Sequence, residues 1–385
     1  MWLLTTKSAQ LRFFARPEDV PGGYAILSHV WGSPSEEDTF QQVQDAAKRC
    51  EDNANVMARP SPEQEAVNKL QNMVDALATQ VAHLASGSPS QAQVPVDSPS
   101  TIVYSDCPPP DTSLDQPSQP HLPTNPRDLV SVKIRNFLIH AEKHGFEWAW
   151  ADTCCIDKTS SAELTEAINS MFRYYALSTI CYVYLGDVSN GDDVSAKASE
   201  FSRSRWHQRG WTLQELLAPK TVLFMSCDWV YLGDKYYLAP ALKEITSVPE
   251  SILRSEQDIT DASVAARMSW ASRRQTTRVE DEAYCLFGLF GINMPTLYGE
   301  GRNAFYRLQE EIMRTSVDTS LFVWGIHVFE DIHRHRKLKS AQAHTPTCVD
   351  APSHYLLAPS PAEFVLKGEA IFDGNGGSHI QVSKA

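Results

Sequence analysis

Residues 205–219 read RWHQRGWTLQELLAP and set an indole, Trp211, four positions ahead of a carboxylate, Glu215. Leu213, Leu216 and Leu217 give the stretch helical apolar spacing, and residues four apart share one face of a helix. The two side chains should therefore project side by side, with Arg205 and Arg209 a turn or two earlier. An aromatic plate beside an acid suits holding a flat cationic ring while stabilising positive charge on a sugar. It also suits a structural task, since a helical Trp is usually core and a nearby Glu usually meets an Arg.

The elements that must position this pair read as alternating strands and helices. Residues 24–28 (YAILS) form a β-prone run closed by His29, Val30, Trp31 and Gly32, which predicts a buried strand entering a loop. A short helix is expected over 38–48. Residues 128–144 suit a helix stopped at Gly145, and 147–151 (EWAWA) the next strand. Ser160 followed by Glu163 reads as a capping box opening a helix with Leu164, Ile168, Met171, Phe172 and Tyr175 on one face. Residues 180–185 (ICYVYL) are the third strand, so a right-handed βαβ unit in a parallel sheet is expected. The acidic loop 187–193 lacks calcium-loop spacing and reads as solvated. Residues 221–225 are a fourth strand, and 229–255 read as mixed and partly helical. Helices are expected over 279–290 and 303–314, a last strand over 321–324, and a small β segment near 355–366.

An interruption splits this pattern. Val67, Leu70, Val74, Leu77, Val81 and Leu84 alternate spacings of three and four within residues 63–85. Val at one seam position and Leu at the other favour a parallel two-stranded coiled coil; an amphipathic helix lying on its own molecule fits equally. Residues 87–126 hold ten of the 23 prolines and cannot bury enough apolar surface to offset ordering, so disorder is expected. The organisation read from this is a domain split between 1–50 and 128–325, an insertion at 51–127, and a poorly structured tail at 326–385.

With 42% hydrophobic residues, nine Trp, thirteen Tyr and fifteen Phe in 385 residues, a sizeable core is affordable. The formal net charge is −13, and residues 51–126 hold nine acids against two bases. No basic stripe appears, so nucleic acid is not an expected partner. MWLLTTKSAQ is too short an apolar run for a secretory signal, and no stretch nears the roughly 18 apolar residues of a membrane span. Eight scattered cysteines without a Cys-x-x-Cys pair suggest reduced thiols in a cytoplasmic protein. Cys154 and Cys155 read as packing residues.

In an open parallel sheet, ligands bind beyond the carboxyl ends of the strands. Those ends collect Ser28, His29 and Trp31, then Asp152 and Asp157, then Asp187, and the segment of Trp211 and Glu215 follows directly. Each has an ordinary reading, such as a helix-capping Asp or a His bonded to a carbonyl. What favours a site is that every strand end on one side is polar. No Walker A, Rossmann or Gly-x-Ser-x-Gly pattern occurs. A Cys154 or Cys155 nucleophile and metal ligation by His29, Asp152 and Asp157 have no supporting signature. Arg273, Arg274, Arg278 and Arg302 read as an ion-pair network with Glu280, Asp281 and Glu282.

YAILSHVWG, WAWADTCCIDKTSSAELTEAINSMFRYY, RGWTLQELLAPK and RMSWASRRQTTRVEDEAYCLFGLFGINMPTLYGEGRNAFYRLQEEI resemble the fungal heterokaryon incompatibility (HET) domain. The resemblance spans roughly 1–48 and 128–324, with the motifs in the family's order; the Pro/Ser-rich insertion departs from it. Family members often continue into NACHT, ankyrin or WD-repeat regions, so a sensor module is missing here or supplied by another chain. The resemblance implies a role in non-self recognition that triggers cell death, and a remote relation to Toll/interleukin-1 receptor (TIR) domains with a flavodoxin-like α/β fold. By carry-over from TIR domains, Glu215 would be the catalytic acid of NAD cleavage, binding ribose hydroxyls and stabilising oxocarbenium character. Ser28, His29, Trp31, Asp152, Asp157 and Trp211 would bind substrate, with NAD as substrate and neither cofactor nor metal. Expected partners are further copies of the chain and a NOD-like, NACHT or other incompatibility-locus protein. The alternative is a non-enzymatic adaptor using the same rim for docking.

Overall fold

The structure, a computed structural model, describes residues 1–33, 36–59, 62–85, 123–324 and 356–365. Seven strands make one sheet. At one edge β1 (Trp2–Thr5) and β2 (Leu11–Phe13) pair antiparallel. Four strands run parallel at the centre: β3 (Ala25–His29), β4 (Trp148–Trp150), β5 (Ile180–Tyr184) and β6 (Val222–Met225). At the far edge β7 (Tyr231–Asp234) returns antiparallel to β6. The order is β2-β1-β4-β3-β5-β6-β7. The parallel strands thus stand second, first, third and fourth in chain order, the flavodoxin-type arrangement, whose switch point falls here between β3 and β5.

All five residues of β3 are buried, as a central parallel strand covered on both faces requires. Successive side chains point to opposite faces, and this separates Ser28 from His29. The helices that precede and follow the strands are α1 (Phe40–Met57), α2 (Pro62–Ala85), α3 (Val132–Lys143), the single turn α4 (Asp152–Cys155) and α5 (Ser161–Leu177). On one face α3 brings Phe137 edge-on to Tyr182, with ring centroids 6.0 Å apart. On the other, α5 packs Tyr175 against Trp150 at 5.9 Å, and the Tyr175 hydroxyl donates to the Leu27 carbonyl at 3.0 Å.

After β5 come α6 (Glu200–Arg203) and α7 (Thr212–Leu217), and after β7 come α8 (Ala239–Thr246), α9 (Glu250–Leu253) and α10 (Val264–Ala271). Then follow α11 (Asp281–Tyr284), α12 (Phe287–Phe290) and α13 (Asn303–Thr315). Residues 1–47 with 126–385 form one compact unit and 48–125 another. In the second unit α2 covers the expected heptad residues, and Val67, Leu70, Val74, Leu77 and Val81 are exposed.

Several expectations are corrected. Residues 279–290 hold two single turns, α11 and α12, not one helix, and Gly291 ends the second at φ 65°. The expected strand at 321–324 is a 3-10 turn, Thr319–Phe322, started by Asp318, whose carboxylate accepts from the Ser320 N–H at 2.8 Å; local capping outweighs the apolar run. The β segment near 355–366 is instead a 3-10 turn, Pro361–Phe364, with proline at its first position; residues 355 and 366 themselves lie outside the described residues. Most of the expected disordered stretch 87–126 also lies outside them. Ser160 caps α5, but Glu163 turns to the Asp157 N–H at 3.0 Å, so the reciprocal half of the capping box is not made. The loop 187–193 is largely exposed, as expected, and is held by its acids: Asp187 accepts from Ser204 Oγ and the Arg205 N–H, and Asp192 from the N–H groups of Glu200 and Phe201.

The contact between α12 and α5 leaves no room for a side chain at Gly288. A Cβ there would stand 2.0 Å from Cβ of Phe172, and backbone rather than a flexible tip would have to yield. Gly288→Ala is expected to destabilise the fold by ~1–3 kcal/mol or more. A lowered urea midpoint at unchanged slope measures it; an unchanged midpoint would contradict the packing described.

Candidate functional site

The stretch 205–219 is not one helix. Arg205–Gln208 make a 3-10 turn, Arg209 is extended at φ −79°, ψ 140°, and α7 starts at Thr212 with Trp211 as its cap residue. The break arises because Gly210 leaves the helix path to bond residue 275: its N–H donates to the Gln275 carbonyl at 2.8 Å. Both ends of α7 are tied down. Arg274 donates to the Arg209 carbonyl at 2.8 Å and to Thr212 Oγ1 at 2.9 Å. At the other end the buried Lys235 donates to the carbonyls of Leu216, at 3.2 Å, and Pro219. Burial draws the Lys235 ammonium down to about 8.

So held, α7 aims Glu215 at β3. Ser28 Oγ donates to Glu215 Oε2 and accepts from Nε1–H of the fully buried Trp206 at 2.7 Å. With its acceptor side occupied by the indole, the Ser28 proton is left pointing at the carboxyl. Burial raises the Glu215 carboxyl to about 7, and the nearby Asp152 charge adds to the rise, against the opposing effects of Ser28, Arg209 and Tyr175. Near neutrality both charge states are accessible, which suits general acid–base work or stabilisation of a developing cation.

Above this carboxyl lies a partly open rim. Trp31 is 45% exposed and donates through Nε1 to Asp152 Oδ2 at 2.9 Å. Lys158 Nζ stands 3.9 Å from the centroid of the Trp31 ring, and the Arg209 guanidinium carbon 5.5 Å from it. An accessible indole with two cations at its face can take a flat ring linked to negatively charged groups. Lys158, Trp206 and Lys235 were not singled out in the sequence, and Tyr175 was read only as part of a helix's apolar face. Lys158 directly follows Asp157 in a strand-end loop, which is the one signal that could have marked it.

Ser28, Trp31, Asp152 and Glu215 thus gather at the switch point between β3 and β5, and three expected site residues lie elsewhere. His29, one position on, faces α3, where Nε2 meets Glu37 at 3.3 Å and Lys133 closes the cluster. Burial pushes the Glu37 carboxyl up, and bonds from His29, Lys133 and the Gly32 N–H outweigh it, taking it down to about 2. Asp157 organises its own turn, accepting from Thr159 and from Gln41 Nε2 at 2.7 Å. Trp211 hydrogen-bonds Asp281, which also accepts from the Tyr298 hydroxyl at 2.9 Å. The exposed indole that shares Asp152 and Arg209 as neighbours with the acid is Trp31, while Trp211 is engaged by Asp281.

The other candidates disperse as well. Cys154 and Cys155 are buried, and burial drives the Cys155 thiol to about 12, far from a reactive thiolate. The expected arginine–acid network is loose: Arg278 acts on Glu280 and Asp281, and Arg302 on Glu282, through charge without close ion pairs, while Glu280 accepts from the N–H groups of Gly299 and Gly301 and Arg278 lies over the Tyr298 ring at 4.4 Å. Among the described residues no group of three or more His, Cys, Asp or Glu is placed to hold a metal ion. Nor is any helix there long and apolar enough to cross a membrane.

Comparison with known proteins finds a match at residues 104–198 to the heterokaryon incompatibility protein (HET) family. Residues 303–374 match a domain of unknown function, DUF8212. The vegetative incompatibility protein HET-E-1 of Podospora anserina is 45% identical over 185 residues, covering 47% of this chain and 14% of that protein. The chain thus corresponds to a small part of the length of that relative. No solved structure matches. The long motifs quoted above, the mixed α/β sheet and these two similarities agree on one point: this chain carries a region similar to the HET family.

Proposed function

We propose that this chain is an effector of heterokaryon incompatibility, switched on by self-association, whose rim cleaves NAD in the manner of TIR domains and so leads to cell death. A NOD-like, NACHT or other incompatibility-locus protein would supply the trigger. The observation that carries the reading is the Glu215 carboxyl, held by Ser28 and raised to about 7, below the exposed Trp31 plate. In this reading Glu215 faces the ribose as nicotinamide leaves, and its charge stabilises the oxocarbenium character at the anomeric carbon. Lys158 and Arg209 offset the pyrophosphate, and Asp152 fixes the Trp31 ring through its indole N–H. The free thiols of Cys154, Cys155, Cys181, Cys227 and Cys285 support a reducing, cytoplasmic setting.

The test is nicotinamide release from NAD by the purified full chain at pH 8, followed from dilute to concentrated protein. Release that rises with concentration is the expected result, and no release in any assembled state removes the chemistry. A second reading, a non-enzymatic docking module, is favoured by one observation: Glu215 already has a partner inside the fold in Ser28 and needs no ligand to satisfy it. Cell death without loss of cellular NAD would select that reading.

A further inference from the structure

The helix α2 spans 24 residues, or ~36 Å at 1.5 Å per residue. It carries a stripe of Val67, Leu70, Met73, Val74, Leu77 and Val81, each 54–63% exposed. Six large apolar side chains on one face of a water-exposed helix call for a cover, and the pattern itself says which. Without Met73, successive members alternate by three and four, a repeat of 3.5 residues, so the stripe stays in contact with a partner helix only if the two supercoil. Val67, Val74 and Val81 fill one seam position and Leu70 and Leu77 the other. β-branched residues at the first and Leu at the second select two parallel strands.

The flanking positions fit another copy of the same helix as the partner. In a parallel pair Ala66, Met73 and Gln80 of one strand would oppose Gln71 and Ala78 of the other and their neighbours. None of these is charged, so two identical strands meet without like-charge repulsion. Met73 widens the apolar seam. The charged Lys69 and Asp75 lie off it. Three heptads joined this way bury on the order of 1,200 Å² in total, the low end for a specific interface, so the association should be weak and concentration-dependent.

We infer that α2 is a parallel homodimerisation seam, closed by Val67, Leu70, Val74, Leu77 and Val81 of two copies. The inference rests on the self-association in the proposed function and not on its chemistry. Light scattering of the full chain without NAD should give the 43.0 kDa chain mass when dilute and twice that when concentrated. Leu70→Asp with Leu77→Asp should hold the mass at one chain throughout. Asn72→Asp with Thr79→Asp adds the same charge to the far face and should leave the doubling intact. Because these positions are exposed, circular dichroism melts of both variants should match the parent. A parent that stays monomeric at every concentration overturns the seam, and so does equal loss of dimer in both pairs of variants. Either result leaves NAD cleavage to be judged by nicotinamide release alone.

Discussion

Glu215→Gln in the full chain is expected to lower nicotinamide release from NAD by ~10²–10⁴-fold, with the KM for NAD little changed. Gln keeps the length and branching of Glu, and its carbonyl can still accept from Ser28 Oγ, so the geometry of α7 against β3 should persist. What disappears is the negative charge, which matters only once positive charge develops on the sugar. An interaction made mainly in the transition state shows in kcat rather than in KM. The wild-type rate should also climb between about pH 6 and pH 8, because the ionised form is the one required and burial places its titration at about 7. Undiminished turnover in the variant would take Glu215 out of the chemistry. A flat pH profile would mean that another group limits the rate.

The parallel core of the fold was legible because its strands are buried on both faces and read as continuous apolar runs bounded by Gly and polar residues. β3, β5 and β6 follow that rule. The edge strands were not legible. β2 is Leu-Arg-Phe and β7 is Tyr-Leu-Gly-Asp, and neither three nor four residues of mixed polarity signal a strand until a neighbour supplies the ladder. For the site, spacing singled out Glu215 and paired it with Trp211, whose indole the fold joins to Asp281. A four-residue interval sets two side chains near one helix face but does not fix their partners: Trp211 bonds Asp281 and Glu215 bonds Ser28. Ser28 and His29 show the same limit on the sheet, since adjacency in sequence means opposite faces in a strand. Trp206 could not have been found at all, because its bond to Ser28 joins residues 178 positions apart.

The same variant that loses activity should gain stability at alkaline pH. Folding raises the Glu215 carboxyl from an ordinary 4.5 to about 7, so between those values the folded chain binds more protons than the unfolded one. The stability tied to that proton is complete below about 4.5 and is lost as pH rises through about 7. A shift of this size corresponds to ~3 kcal/mol. The residue keeps some contact with solvent, so ~2 kcal/mol is the better expectation. Gln carries no such charge. Whatever fixed penalty its amide introduces is the same at every pH, and all other titrating groups are shared with the parent. The stability of Glu215→Gln relative to the parent, from urea unfolding, should therefore improve by ~2 kcal/mol from pH 5 to pH 8. A difference independent of pH would mean that the carboxyl titrates normally and is not confined by the fold. If it instead improves while nicotinamide release collapses, the buried charge is a burden on the fold carried for chemistry, because no packing role requires Glu where Gln is the more stable residue.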